Sequence, residues 1–235
     1  MNSMSRALYV HVPWCTRKCP YCDFNSHEQP NPDFKTYGQM LRQDLESDLQ
    51  VFGQRPFISI FFGGGTPSLM PPEYLHSLFD ILYHQDLIDS STEITLEANP
   101  GTLNSKHLIS YLGLGINRMS IGVQSFQKHC LEALGRIHDG GEAISMIKCA
   151  QDIGFERINI DLMHGTPKQQ VSDALNDLNI IRELEIKHLS WYQLTIEKNT
   201  VFNSMPPTLP NEEVLEATES LGESFIKEIG LEHYE

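Results

Sequence analysis

Short runs of apolar residues recur along the chain, each followed by a longer stretch whose apolar positions keep helical spacing. The runs Ala7–His11, Phe57–Phe62, Glu93–Glu97, Arg118–Val123, Arg157–Met163 and His188–Tyr192 predict strands buried on both faces. The first helix is expected to open at Asn31-Pro32, a cap followed by proline at the first helical position. Its apolar face would carry Phe34, Tyr37, Leu41, Leu45 and Phe52. A second stripe runs through Val171, Ala174, Leu175, Leu178 and Ile181. A last helix, Asn211–Ile229, would bury Val214, Ala217, Leu221, Phe225 and Ile229.

Strict alternation of strand and helix predicts an α/β fold, with a parallel sheet and right-handed crossovers. Six units make a partial (β/α)6-type, TIM-like barrel. The proline-dense run Asn203–Pro210 reads as a linker or lid. Leu231–Glu235, directly after a helix, reads as the start of a seventh strand. Residues 1–235 are therefore expected to be one domain of a longer protein.

Composition narrows the function classes. A formal net charge of −14 argues against a nucleic-acid partner, which calls for a basic footprint. Of the five cysteines, Cys15, Cys19 and Cys22 crowd one loop, unlike a secreted disulfide framework. Met1–Arg6 has no apolar core after a basic stretch, so no signal peptide is visible. No apolar run is long enough to span a bilayer. Reducing cytoplasm is the expected location.

In α/β barrels, functional residues gather on loops at the C-terminal ends of the strands. Here polar or glycine-rich clusters follow each predicted strand. The cysteine loop comes first, then Gly63-Gly-Gly-Thr-Pro-Ser68, Glu97-Ala-Asn-Pro100, Gln124-Ser-Phe126, Asp161–Pro167 and Tyr192-Gln193. Such an ordering on one rim points to an active site.

Three thiolates at Cys-x3-Cys-x2-Cys spacing can hold a metal centre without filling four coordination places. An iron–sulfur cube normally takes four cysteines, and one held by three leaves an iron open to an outside ligand. Zinc is the alternative, with His11 or His27 as fourth ligand. The triple glycine would let backbone approach a ligand with its N–H groups free, or else serve a tight turn. Glu97 and Asp161 end buried strands, where an unpaired carboxylate is costly; each needs a structural partner or a ligand. Cys130 and Cys149 read as ordinary free thiols. His76, His84, His107 and His129 read as solvated helix positions.

Taken together, these motifs resemble the radical S-adenosylmethionine (SAM) superfamily. Tyr9–Cys15, Cys19–His27, Phe61–Pro67, Glu97–Pro100, Ile121–Phe126 and Asn159–Met163 are similar to the oxygen-independent coproporphyrinogen III oxidase group, and most of all to its heme chaperone branch. The resemblance runs from about Leu8 to the C-terminus. It implies a 4Fe–4S cluster on Cys15, Cys19 and Cys22, with SAM's methionine chelating the open iron. An electron from the cluster would then cleave SAM to methionine and a deoxyadenosyl radical. By the same resemblance Tyr9 and Gly64 contact SAM, and Glu97 holds its ribose hydroxyls. Tyr21, Gly65, Thr66, Gln124, Arg136 and Asp161 match the contacts of a second SAM.

Two departures favour the chaperone branch over the oxidase. The oxidase carries a further cysteine two positions after the third, where Phe24 stands here, and it has a longer segment before the first strand. The implied function is heme binding and delivery to acceptor proteins, a membrane-associated acceptor among them, with a flavodoxin-like electron donor. The branch's heme-binding His-Asn-containing motif and its C-terminal domain are expected beyond Tyr234-Glu235.

Overall fold

The computed structural model describes residues 5–234. Met1–Met4, part of the segment inspected for a leader, and Glu235 lie outside the described residues. Six strands form one parallel sheet: β1 (Ala7–Val12), β2 (Ser59–Gly64), β3 (Glu93–Ala98), β4 (Arg118–Gln124), β5 (Arg157–His164) and β6 (His188–Gln193). They pair in chain order from β1 to β6, the neighbour order of a (β/α) barrel. No strand is found at residues 231–234, where a seventh was expected; Leu231 N instead donates to Ile226 O at 3.2 Å.

The strands were expected to be apolar on both faces, yet they alternate. Val10, Ile60, Phe62, Ile94, Leu96, Met119, Ile121, Ile158 and Ile160 point outward and are buried under the helices. The opposite face carries Tyr9, Glu97, Gln124 and Asp161. A barrel whose mouth holds ligands needs that polar inner wall, and successive side chains of a strand point to opposite faces.

Around the sheet lie α1 (Phe34–Phe52), α2 (His76–His84), α3 (Ser105–Leu114), α4 (Lys128–Ala133), α5 (Gly140–Ile153), α6 (Val171–Glu183), α7 (Val201–Ser204) and α8 (Glu212–Glu228). Helix α1 opens later than expected. Asp33, not Asn31, is its cap, accepting from Thr36 N at 3.0 Å. Its inner face turns on Gly38, Leu45 and Leu49, while Phe52, assigned to the apolar stripe, is exposed. Asn211 caps α8 as the sequence suggests. The Pro-rich run begins inside α7, and its Leu209 packs against a small core of Leu134, Met163, Leu194 and Phe202.

Helix α8 keeps Phe225 and Ile229 against the core as expected, but Leu221 is exposed, while Thr218 and Gly222 are buried. Gly222 faces Trp191 on β6. Its indole stacks on the His164 ring with centroids 4.2 Å apart and lies over Gly222, where a Cβ would fall 2.2 Å from the indole edge. On an exposed helix, Gly→Ala gains up to about 1 kcal/mol. Here we expect Gly222→Ala to destabilise by about 1–3 kcal/mol through overpacking, as read from urea unfolding. An unchanged or raised midpoint would contradict this account of how α8 sits.

Candidate cofactor site

After β1 the chain turns back across the strand ends. Trp14–Cys15 and His27–Glu28 pair as a two-residue parallel ladder that closes the cysteine loop at its base. Within the loop, Cys22 N donates to Cys19 O at 3.1 Å. The Lys18 ammonium donates to Phe24 O and Ser26 O at 2.8 and 3.0 Å, tying the middle of the loop to its return. His11 bridges Tyr9 OH (3.0 Å) and Asn25 O (2.9 Å).

That arrangement explains the triple glycine. Gly65 N donates to Val12 O and Thr66 N to Trp14 O, both at 2.8 Å, and Gly64 N donates to the Glu97 carboxylate at 3.2 Å. The N–H groups at 64, 65 and 66 are thus consumed within the protein, and the tight-turn reading holds for them. A Cβ on Gly65 would meet Trp14 O at 2.7 Å, and Gly64 has φ of +117° with the His11 ring 2.8 Å from any Cβ. The glycines are there so that the cysteine loop can lie on them.

The three cysteines open into a cavity of about 490 Å³ at the C-terminal ends of the strands. Tyr21, Gly65, Thr66 and Glu97 line it together with Gln124, Arg136 and Asp161. Seven of the nine predicted contact residues, from five separate strand ends, therefore share one space with the cysteines. Tyr9 and Gly64 do not line it: Gly64 contacts it through Glu97, and half-exposed Tyr9 stands beside Glu97 on the inner wall. Phe24, at the oxidase's cysteine position, is 61% exposed on the rim.

Sequence reasoning missed Ser120 and Ser190, which line the cavity, and Asn159, which ties them to Asp161. Asn159 Nδ2 donates to Ser120 Oγ (2.9 Å), Ser190 Oγ (3.1 Å) and Asp161 Oδ1 (2.7 Å). The signal was available: polar residues recur at every second position, as Ser120-x-Gly-x-Gln124, Asn159-x-Asp161 and Ser190-x-Tyr192. Of the four histidines assigned to solvated positions, His107 is only partly exposed and its Nδ1 is buried.

Gln124 ends β4 with φ of +72°, at a register shift against β5. A buried glutamine in that conformation costs about 1–3 kcal/mol and needs support. Tyr192 OH donates to its Oε1 at 2.8 Å. Behind it, buried Asp177 of α6 accepts from Ser125 Oγ (2.6 Å), Phe126 N (2.9 Å) and Gln127 Nε2 (2.9 Å). Asp177→Ala would strand three donors, and we expect it to cost about 3 kcal/mol or more and to loosen the loop that carries Gln124. Thermal unfolding and amide exchange at residues 125–127 measure this; an unchanged melting temperature would refute it.

Charge in the cavity is unbalanced in an informative way. Burial pushes the Glu97 carboxyl up to about 7, and Asp161 nearby pushes in the same direction, against the hydrogen bond from Gly64. Asp161 is itself raised by burial, with Ser190 and Asn159 opposing. Arg136 donates to Gly122 O and, at 3.6 Å, to Cys19 Sγ; its Nε is buried with no partner. Among the described residues no carboxylate lies within ion-pair distance of this guanidinium. A buried cation with a spare donor beside a cysteine sulfur fits an anionic group in the cavity.

The two metal readings ask for different ligand spacings. A single zinc, with Zn–S of about 2.3 Å, would draw its ligand atoms to within roughly 4 Å of one another. Among the described residues the three sulfurs, with or without His11 or His27, do not gather as a set within 4.8 Å. His11 is moreover engaged at both ring nitrogens. In a cube each sulfur binds its own iron, so the three need not converge on one point.

The comparisons with known proteins agree. The family described as the radical SAM superfamily matches residues 9–178. The chain is 45% identical over 233 residues to the heme chaperone HemW of Escherichia coli (strain K12), covering 97% of this chain and 61% of that protein. It is 46% identical over 235 residues to the HemW of Haemophilus influenzae, with the same coverage. It thus spans about three-fifths of the length of these curated relatives. Among solved structures, the coproporphyrinogen III oxidase HemN of E. coli, a radical SAM enzyme, superposes with a TM-score of 0.86 at 26% identity, over 95% of this chain and 52% of that one. The matched segment runs from the first strand into α6 and carries the three cavity cysteines with Glu97 and Asp161, so the chain belongs to the radical SAM superfamily.

Proposed function

We propose that this chain is the SAM- and cluster-binding part of a HemW-like heme chaperone, which binds heme and passes it to acceptor proteins. Cys15, Cys19 and Cys22 would hold a 4Fe–4S cluster; when bound, cluster and SAM supply reductive one-electron chemistry at the open iron. The residues of the chain do the positioning. Glu97 accepts hydrogen bonds from ribose hydroxyls, Arg136 neutralises a carboxylate, and Tyr9 closes the inner wall. Gln124, Asp161, Tyr21, Gly65 and Thr66 shape the remaining space.

The observation that carries the chaperone reading is Phe24, an exposed apolar side chain on the cavity rim where the oxidase type has cysteine. The names of the relatives at 45% and 46% identity support it. Heme, an acceptor protein and a flavodoxin-like reductant are the partners of this reading. A cytoplasmic location accords with the fact that no described helix is long and apolar enough to cross a membrane. Residues 1–235 would form one domain, with heme held largely by the remainder of a longer protein.

The test uses the full-length, cluster-loaded protein. Transfer of heme to an apo-acceptor, without decarboxylation of coproporphyrinogen III under reductant and SAM, is the expected result. Decarboxylation at enzymatic rates would replace this reading with the oxidase, which the superposition on HemN keeps as the second reading.

A further inference from the structure

One cluster of ligand-type side chains lies outside the cavity just described. His129 and Cys130 on α4 and Asp173 in the first turn of α6 bring an imidazole nitrogen, a thiol sulfur and a carboxylate oxygen within 4.8 Å of one another. They are the one such trio among the described residues. We propose that these three residues form a site for a single divalent ion of the zinc type, clipping α4 to α6.

Several observations point the same way. The donor set is mixed nitrogen, sulfur and oxygen, the set zinc takes, and three protein ligands leave a fourth place for water. Closing from under 4.8 Å to the roughly 3–4 Å between ligands of one zinc takes only small side-chain rotations. Burial is graded across the trio: the Cys130 residue is wholly buried, whereas the side chains of Asp173 and His129 are 15% and 46% exposed, which gives an ion a way in past the imidazole. Asp173 is already fixed in place. Its Oδ2 accepts from Gln170 N (2.8 Å) and from His129 Nε2 (3.1 Å), so the imidazole is aimed at the carboxylate before any ion arrives.

The position gives the site a consequence. Asp173 stands one helical turn before Asp177, which holds Ser125, Phe126 and Gln127. Helix α4 begins directly after that loop. An ion joining α4 to α6 would stiffen the segment leading from Gln124 to Arg136 from outside the cavity, without touching any cavity ligand.

Cluster-loaded full-length protein dialysed against zinc-buffered solution decides the matter. Mass spectrometry counts zinc and iron together, and zinc-edge X-ray absorption reports the neighbours. The expected result is one zinc per chain above an unchanged iron complement, with a single sulfur neighbour. His129→Ala and Asp173→Asn (which keeps the oxygen that caps α6) should each weaken zinc in chelator competition by at least about tenfold, the loss expected even for an outer-shell partner. Zinc absent above the iron complement would overturn the proposal. So would zinc held equally by either variant, or a three-sulfur environment that places the ion on vacated Cys15, Cys19 and Cys22. Each of these results leaves the heme-transfer and cluster measurements as they stand, so the two readings fail separately.

Discussion

Replacing any one of Cys15, Cys19 or Cys22 with alanine should abolish retention of the iron–sulfur cluster. These three are the cysteines that line the cavity, Cys130 and Cys149 lying elsewhere in helices α4 and α5. A cube on two thiolates has two irons open to solvent and reductant. Reconstituted anaerobically, each variant is expected to lose nearly all bound iron and sulfide, together with the SAM-dependent change in the electron paramagnetic resonance of the reduced protein. Cys149→Ala is the control and should keep the full complement. The fold itself should survive, since these residues sit on a loop held by Lys18, His11 and the two-residue ladder. A wild-type protein that carries zinc, with neither iron nor sulfide, would overturn the prediction and the chemistry built on it.

Glu97→Gln carries the second large effect, and its sign depends on pH. In the folded protein the Glu97 carboxyl is raised to about 7 from an ordinary 4.5, burial being the main cause and Asp161 the second. The folded state therefore binds the proton more tightly than the unfolded chain. Stability from this group is fully present below about 4.5 and is lost as pH rises toward 7. Above 7 the buried charge costs about 3 kcal/mol, at about 1.36 kcal/mol for each pKa unit. Glutamine stays neutral and can still accept from Gly64 N. Without ligand, Glu97→Gln should be more stable than the wild type by about that amount at pH 8, and no different at pH 4.

Binding should move the opposite way. Ribose hydroxyls donating to an ionised carboxylate make charge-assisted hydrogen bonds worth about 1.5–3 kcal/mol. SAM affinity in the wild type should rise as pH passes 7, while the variant binds roughly ten- to a hundredfold more weakly with a flat pH profile. Calorimetry on the cluster-loaded protein measures both. Equal affinity at pH 8 would remove Glu97 from the binding site, and a stability difference independent of pH would remove the buried-charge account. Paying for an unpaired charge in the empty state and recovering it on binding is the usual economy of a ligand site.

The sequence by itself determined the order of elements and the chemistry on their ends. Period and punctuation placed six strands and the helices between them, because apolar spacing is a local property that neighbouring turns enforce. Cys-x3-Cys-x2-Cys is likewise local, and so is the sequence of polar clusters after each strand. Tertiary structure decided matters that depend on what comes from far along the chain. The glycine run left a ligand-binding loop and a tight turn both open, and the turn is what the fold shows: the N–H groups of Gly64, Gly65 and Thr66 meet Glu97, Val12 and Trp14. Helix α8 turns its Gly222 inward against Trp191, thirty-one residues earlier. The inner polar wall of Ser120, Asn159 and Ser190 becomes one network only once three strands are in register. His129 is exposed and Cys130 a free thiol, as the sequence suggested, but only the packing of α6 sets Asp173 beside them. A hydrophobic pattern says which face is buried and leaves unsaid what it is buried against, and that partner is what assigns a polar side chain its work.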